Sequence, residues 1–221
     1  DCSIQRRHQK LVEESPASNL ALSVRGEICK AAVKLIKAAN YVSAGTVEFL
    51  LDKNNDFYFI EANARIQVEH PITERVTGVD LIKEQIRIAA GESLSIQQED
   101  IKLQEHSIEC RINAESPLTL KPSPGQITAY HAPGGPGIRI DSMAHAGMTV
   151  SPFYDSMIAK LIATGANRKE AITRADRALD MFVIEGIETT ISLHKKIIAD
   201  PDFQEGRIST AFLDSFDFDG P

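Results

Sequence analysis

The chain has 221 residues, 43% of them hydrophobic and 25% charged, which is ordinary globular usage and excludes a disordered or collagen-like chain. Its net charge of -7 excludes the basic footprint of a general nucleic-acid binder. The three cysteines, Cys2, Cys29 and Cys110, are odd in number and lack CxxC spacing, which argues against a disulfide framework or a zinc site and favours a reducing, cytoplasmic location.

The first half of the chain is predicted to contain two helices on either side of a hairpin. Apolar residues recurring every three or four positions predict an amphipathic helix over 23–40. Two runs rich in aromatic and β-branched residues, 46–51 and 57–62, flank turn-forming residues and predict a β-hairpin. Asp80 is placed to cap a second helix over 81–90.

The second half is predicted to alternate strands with helices. Asn167 and Glu170 have the spacing of a helix-capping pair. None of the apolar runs approaches the ~18 residues of a membrane span, so no membrane partner is expected. The mixed order indicates an α+β fold, with strands expected at 106–114, 126–131, 137–141 and 156–164 and helices at 168–182 and 190–199.

The most informative segment is the run 60–69, in which polar and apolar residues alternate. In an extended chain the apolar set would face a core, and the polar set would share the opposite face. Glutamate and asparagine are poor strand formers, and such a conflict with local propensity tends to mark function. The polar set consists of Glu61, Asn63, Arg65, Gln67 and Glu69.

The predicted hairpin places a second carboxylate beside this set. A four-residue loop would pair Asp52 with Phe57 and set Glu48 opposite Glu61. Like charges directly opposite destabilise a sheet unless a cation lies between them.

The oxygen ligands that Glu48, Glu61 and Asn63 offer suit Mg²⁺, which commonly brings phosphates with it. An ATP-using site is therefore one hypothesis. The alternative is a solvated sheet face on which Arg65 neutralises its neighbours.

Several longer motifs closely resemble biotin carboxylase, an ATP-grasp enzyme. The strongest are CSIQRRHQK at 2–10, GTVEF at 45–49 and EANARIQVEHP at 61–71. The likeness covers nearly the whole chain and continues at 109–115, 122–125, 152–158 and 185–190.

The resemblance implies an ATP-dependent ligase. In that family ATP phosphorylates bicarbonate to carboxyphosphate, and the carboxyl group passes to biotin on a biotin carboxyl carrier protein. Carboxyltransferase subunits then use this carboxyl group. The implied cofactors are ATP, Mg²⁺ or Mn²⁺, and carrier-bound biotin as a substrate. The favoured setting is acetyl-CoA carboxylase, which makes malonyl-CoA for fatty acid synthesis, and pyruvate and propionyl-CoA carboxylase are the alternatives.

The resemblance also implies a role for each matching residue. Glu48, Glu61 and Asn63 would bind the metal ions, and His8, Glu48 and Glu61 would contact ATP. Lys10, Arg65, Gln67 and Val68 would hold bicarbonate, Glu69 would be the base that deprotonates it, and Arg111 would hold biotin. Arg65, Glu69 and Lys10 are the implied catalytic residues, and Arg139 and Asp155 match a homodimer contact.

Other interpretations stay open beside this one. Alternation alone predicts that one side of the 106–114 strand, the side with Arg111, faces solvent. It predicts that Cys110, on the other side, is a thiol in the core. His70 is expected to position its loop. The chain could also be another ATP-grasp ligase, against which the matches at 65–69 and Arg111 argue, or a silent structural module.

The resemblance implies two domains, the C-terminal part of an ATP-grasp domain at 1–84 and the biotin carboxylase C-terminal domain at 85–221. The family's glycine-rich lid and phosphate-binding lysines have no counterpart here before Glu48. The 221-residue chain is therefore expected to be inactive by itself, as a piece of a longer protein.

Overall fold

A computed structural model describes residues 1–218, so that 219–221, the end of the second predicted domain, lie outside the described residues. Helices and strands are mixed along the chain, which confirms the α+β prediction. The strands are β1 (Ile4–Arg6), β2 (Gln9–Ser15), β3 (Thr46–Leu51), β4 (Phe57–Asn63), β5 (His106–Asn113), β6 (Gly125–Gln126), β7 (Ala129–His131), β8 (Ile138–Ser142), β9 (Thr149–Val150), β10 (Met157–Gly165) and β11 (Val183–Glu185). The helices are α1 (Leu22–Ala38), α2 (His70–Thr77), α3 (Leu81–Ala89), α4 (Arg168–Met181), α5 (Ile191–Ala199) and α6 (Pro201–Gln204). No helix within 1–218 is long and apolar enough to cross a membrane.

The chain divides into two compact units. One contains residues 1–18 together with the chain from 103 onward, and the other contains residues 19–102. The first residues join the C-terminal unit because β2 pairs with β5. These units are defined by contacts within the chain, and the division into family domains at residue 84 stays a prediction.

The first unit is built on a five-stranded antiparallel sheet in the order β1-β2-β5-β10-β8. β5 is central, and its apolar residues Ile108, Cys110 and Ile112 are fully buried, as are Ala171 and Ala175 of α4. Cys110 is therefore a core thiol, as predicted, and burial raises its pKa far above the usual range, with the charges of Glu13 and Glu109 adding to the rise.

The polar side of β5 is also buried, which corrects the expectation of a solvated face. Ser107 and Glu109 are fully buried, and Asn113 is 7% exposed. A central strand can bury charged groups on this side only if they have partners. Strand β2 supplies one such partner, because Glu13 pairs with Arg111.

The strand predicted over 126–131 is split into β6 and β7, which have different partners. β6 pairs with β9, and β7 pairs with β11. The residues between them bond to both sides, because Ile127 donates its N–H to the Met148 carbonyl and Thr128 donates to the Glu185 carbonyl, each at 2.8 Å. The backbone crosses from one ladder to the other, which a hydrophobic pattern cannot show.

The second unit contains the hairpin β3–β4 and the helices α1, α2 and α3. No residue of α1 or α3 is buried in this chain. The apolar residues of α2 are buried, with Ile72 at 5% and Val76 at 4% exposure. Of the three helices in this unit, α2 is therefore the one whose apolar residues are buried.

Asp80 caps helix α3 as the sequence predicts. Its Oδ1 accepts a hydrogen bond from the Lys83 N–H at 2.8 Å. Because the first N–H groups of a helix have no partner within the helix, we expect Asp80→Ala to lower the free energy of unfolding by about 1 kcal/mol. Asp80→Asn keeps the acceptor and should stay near the parent value. Urea unfolding of both variants tests this, and equal losses would contradict it.

Candidate active site

The hairpin places Glu48 opposite Glu61, as predicted, but by a different route. Leu51 pairs with Phe57, so the expected pairing of Asp52 with Phe57 is wrong. Without a correction this register would set Glu48 against Ile60. A β-bulge between Glu48 and Phe49 adds one residue to β4 and restores the pairing of Glu48 with Glu61. Bulges turn a side chain to the other face of a sheet and occur beside active sites.

The polar groups of β3 and β4 meet at the end of this hairpin. The Asn63 Nδ2 donates to Glu61 Oε1 at 2.7 Å and lies 3.5 Å from Glu48 Oε1. Arg65 Nη2 donates to Asn63 Oδ1 at 3.3 Å. Four of the predicted site residues are thus linked in one hydrogen-bonded group within the second unit.

The donor set fits a hard divalent cation. Glu48 and Glu61 supply carboxylates, and a half-turn of the Asn63 amide exchanges its nitrogen for its oxygen and completes three oxygen donors. Residues 1–218 contain no cluster of three or more His, Cys, Asp or Glu suited to a metal. Mg²⁺ is usually held by one or two carboxylates together with waters and substrate phosphates, so a set of this size matches Mg²⁺ or Mn²⁺.

The segment after Asn63 is not a strand, which corrects the extended face predicted over 60–69. β4 ends at Asn63, and residues 64–69 form bends and turns that lead into α2. Arg65 donates from Nη1 to the neighbouring Ile66 carbonyl at 3.2 Å, a contact within the turn. Of the apolar residues predicted to face a core, three are exposed, Ile60, Ala62 and Ala64, and the other two, Ile66 and Val68, are half-buried.

Gln67, Val68 and Glu69 lie in the turn that begins α2. His70 Nδ1 donates to the Gln67 carbonyl at 2.8 Å, so His70 holds this loop, as expected. The Gln67 amide nitrogen is buried without a hydrogen-bond partner among the described residues. Such a donor suits an oxygen-rich ligand. Glu69 stands at the N-cap of α2 and is 9% exposed.

His8 and Lys10 belong to the other unit. His8 forms the tight turn between β1 and β2, where Arg7 and His8 both have positive φ, at 51° and 64°. Left-handed backbone at two consecutive residues other than glycine is uncommon and tends to occur at functional sites. Lys10 follows in β2 and is half-buried.

Arg111 is on β5 of the same unit, and its side chain is 15% exposed. Its Nε donates to Glu13 Oε1 at 2.6 Å, and its Nη2 contacts the same oxygen. Glu13 is fully buried. Sequence reasoning did not single out this carboxylate, and the signal that could have found it is the pair of adjacent glutamates three and four residues after Lys10.

The two residues matched to a homodimer contact also lie in this unit. Arg139 on β8 donates from Nε and Nη2 to the two carboxylate oxygens of Asp141 at 2.7 and 2.8 Å. Asp155 accepts a hydrogen bond from the Met157 N–H at 2.8 Å. Both side chains therefore have local roles in the monomer, and a dimer contact through them stays a prediction.

Two family models match the chain, one for each half. The model described as carbamoyl-phosphate synthase L chain, ATP binding domain, matches residues 1–97. The model described as biotin carboxylase C-terminal domain matches residues 109–215.

Relatives and solved structures agree with the models. "Biotin carboxylase 1" of Bacillus subtilis is 55% identical over 100% of this chain and 49% of its own length. A pyruvate carboxylase subunit of Methanothermobacter thermautotrophicus is 54% identical over 98% of this chain and 44% of its own.

The crystal structure of a biotin carboxylase complex with β,γ-ATP from Campylobacter jejuni has a TM-score of 0.95 at 48% identity, covering 98% of this chain and 48% of that one. The biotin carboxylase domain dimer of Hydrogenobacter thermophilus 2-oxoglutarate carboxylase, in complex with MgADP and bicarbonate, also has a TM-score of 0.95, at 49% identity, covering 97% of this chain and 48% of that one. The chain spans about half the length of the curated relatives it matches.

Proposed function

Because the chain belongs to the biotin carboxylase family, we propose that it supplies the metal, bicarbonate and biotin sites of an ATP-dependent biotin carboxylase. The observation that carries this proposal is the hydrogen-bonded group of Glu48, Glu61, Asn63 and Arg65 on and beside the bulged hairpin. It combines oxygen ligands with a guanidinium, as a site that transfers a phosphoryl group to an anion requires.

The metal end of this group would position ATP. Glu48, Glu61 and Asn63 would hold the metal ion, and His8 would contact the nucleotide with the two carboxylates. Mg²⁺ or Mn²⁺, when bound, neutralises the phosphate charges that build up during transfer. The protein's own contribution is to place the carboxylates of Glu48 and Glu61 opposite each other beforehand, since phosphoryl transfer is catalysed mainly by positioning and charge stabilisation.

The turn from Arg65 to Glu69 would bind and activate bicarbonate. Arg65 and Lys10 supply positive charge, and the buried Gln67 amide nitrogen supplies a donor. The Val68 N–H would add a backbone donor. Glu69, 9% exposed at the start of α2, would take the bicarbonate proton as the general base.

Arg111 would bind biotin at its ureido oxygen. Removal of a proton from the ureido nitrogen moves negative charge onto that oxygen, and a fixed guanidinium stabilises it. As the bond between the carboxyl carbon and the phosphate oxygen of carboxyphosphate breaks, the departing phosphate would take the ureido proton, and the carboxyl carbon would form its bond to the nitrogen.

The wider setting is part of the same proposal. The biotin would be carried by a biotin carboxyl carrier protein, and carboxyltransferase subunits would pass the carboxyl group to acetyl-CoA for fatty acid synthesis. A cytoplasmic location and a homodimer contacted through Arg139 and Asp155 complete it. Relatives named for pyruvate carboxylase favour pyruvate as the second candidate acceptor. Mixing the carboxylated carrier with each purified carboxyltransferase distinguishes the two acceptors.

The decisive experiment measures ADP release by a full-length protein that contains this chain, with bicarbonate, with and without free biotin. Strong stimulation by biotin is expected. Turnover stimulated by an amine or amino acid instead would indicate another ATP-grasp ligase, and no turnover would favour a silent module. The 221-residue chain alone should release no ADP, in keeping with the proposed ATP-grasp division at 1–84 and 85–221.

The metal assignment has its own test. In the full-length protein, Glu61→Gln removes one of the two carboxylates and should raise the Mg²⁺ concentration needed for half-maximal ADP release about tenfold. Glu92→Gln is a matched control, because Glu92 is an exposed carboxylate that pairs with Arg87. An unchanged Mg²⁺ requirement for Glu61→Gln would contradict the assignment.

A further inference from the structure

The Arg111 side chain is held by a carboxylate that takes no part in the proposed chemistry. Glu13 Oε1 accepts from both Nε and Nη2 of Arg111, so it occupies one side edge of the planar guanidinium. The end edge of the group, which includes Nη1, points away from Glu13 because the five N–H donors of arginine are fixed in one plane. The ion pair therefore sets the direction in which Arg111 can receive a ligand oxygen.

The backbone of Arg111 is held separately. The ladder between β2 and β5 ends at the pair Val12 and Cys110, one residue before Arg111. The Arg111 carbonyl instead accepts from His194 Nε2 at 2.6 Å and from Thr190 Oγ1 at 3.1 Å. His194 lies on α5 and Thr190 is its N-cap, and both side chains are fully buried.

The hydrogen bonds from His194 and Thr190 to the Arg111 carbonyl do not depend on a change of protonation near neutral pH. Burial lowers the pKa of His194 to about 4, although the hydrogen bond to the Arg111 carbonyl works in the opposite direction. The imidazole is therefore neutral at pH 7, and its Nε2–H donates. Thr190 is bonded to β5 at two further points, since its Oγ1 accepts from the Asn113 N–H at 3.0 Å and its N–H donates to the Asn113 carbonyl at 3.1 Å.

Stability alone does not account for a buried carboxylate in this position. Taking Glu13 and Arg111 out of water is costly, and a well-packed hydrophobic pair of similar volume stabilises a fold as well or better. A hydrophobic pair cannot orient a guanidinium. We propose that Glu13 is a positioning residue that aims Arg111 at biotin, and that Thr190 and His194 hold the β5 backbone from which the Arg111 side chain extends.

This inference rests on the proposed role of Arg111 in binding biotin. The test uses a full-length protein that contains this chain and measures KM for free biotin and KM for ATP separately. Glu13→Gln should raise KM for biotin about tenfold, because small misplacements of an orienting group have effects of this size. KM for ATP should stay unchanged. In the Arg111→Ala background, Glu13→Gln should change KM for biotin no further.

Glu14→Gln is the matched control. It makes the same substitution at the next residue, which is 2% exposed and pairs with Arg168 and His106 instead of Arg111. It should lower the melting temperature and leave KM for biotin unchanged. A purely structural role for Glu13 would make the two variants behave alike, and that result would overturn the inference.

Two further outcomes separate the inference from the function on which it depends. If Arg111→Ala raises KM for biotin but Glu13→Gln does not, the positioning role is wrong and the biotin role stands. If Arg111→Ala leaves KM for biotin unchanged, the biotin role fails and the inference fails with it. Should Glu13→Gln not fold, Thr190→Val removes one donor from the Arg111 carbonyl. This variant should raise KM for biotin about threefold, and no rise would overturn the proposal.

Discussion

Glu69→Gln in a full-length protein that contains this chain is expected to lower biotin-dependent ADP release by a factor of about 10² to 10⁴. Glutamine keeps the size of the side chain but cannot accept a proton from bicarbonate. Glu69 stands at the N-cap of α2 and makes no side-chain capping bond, so the substitution should leave the helix in place. Steady-state ADP release at saturating ATP and bicarbonate measures the effect.

The control for this prediction separates the lost base from a general loss of structure. Glu92→Gln makes the same substitution at an exposed carboxylate after α3 and should retain the parent rate. The melting temperature of Glu69→Gln should stay within a few degrees of the parent value. Retention of more than a tenth of the parent rate by Glu69→Gln would show that another group acts as the base.

Glu14→Ala is expected to cause a large loss of stability, because Glu14 is a buried charged residue of the first unit that is 2% exposed. Glu14 Oε2 accepts from Arg168 Nε at 2.8 Å and from His106 Nε2 at 3.0 Å. Removing the carboxylate leaves the Arg168 charge, whose side chain is 16% exposed, without this partner. Breaking a buried ion pair in this way costs about 3 to 5 kcal/mol of unfolding free energy, measured by urea denaturation.

The same contacts give Glu14 a defined effect on the pH dependence of stability. Burial by itself would raise the pKa of Glu14, but the hydrogen bond from His106 and the charge of Arg168 outweigh it and hold the pKa at about 2. The unfolded chain therefore binds this proton first as the pH falls. The stabilisation is complete above pH 4.5, the ordinary value, and is lost as the pH falls to about 2.

Two comparisons test the Glu14 assignment. Asp180→Ala removes an ion pair with Lys195 in which both side chains are about half exposed, and it should cost at most about 1 kcal/mol. The difference between the parent and Glu14→Ala should shrink as the pH falls from 4.5 towards 2. A difference that stays constant over this interval would show that the lost packing, and not the ion pair, carries the effect.

Local signals in the sequence predicted most helices and strands. The Asn167 side chain caps α4 by accepting from the Glu170 N–H at 3.0 Å, and Asp80 caps α3. Both contacts join residues three apart, so residue types and spacing were sufficient to predict them. The motif at 61–71 likewise predicted the family, because it is a continuous run of residues that can be matched without knowledge of the fold.

The same local signals failed where a partner from elsewhere in the chain decides the outcome. Alternation of polar and apolar residues over 60–69 would give two faces in an extended chain, but β4 ends at Asn63, and the alternation of 64–69 falls in bends and turns. The strand predicted over 126–131 is divided because its first part pairs with β9 and its last part pairs with β11. A period of two shows which residues share a face only if the segment is extended throughout.

The sequence by itself determined the composition class and the α+β content, since these follow from residue types and from short-range spacing, and its motifs supplied the candidate site residues. Only the tertiary structure decided how the site is held. The bulge that sets Glu48 opposite Glu61 depends on the register between two strands, and the burial of Glu13 behind Arg111 depends on β2 lying beside β5. Glu13 and Arg111 are 98 residues apart in the chain. A local sequence pattern cannot show that two such distant residues meet in the protein interior. They pair there because a buried charge is costly unless it has a partner.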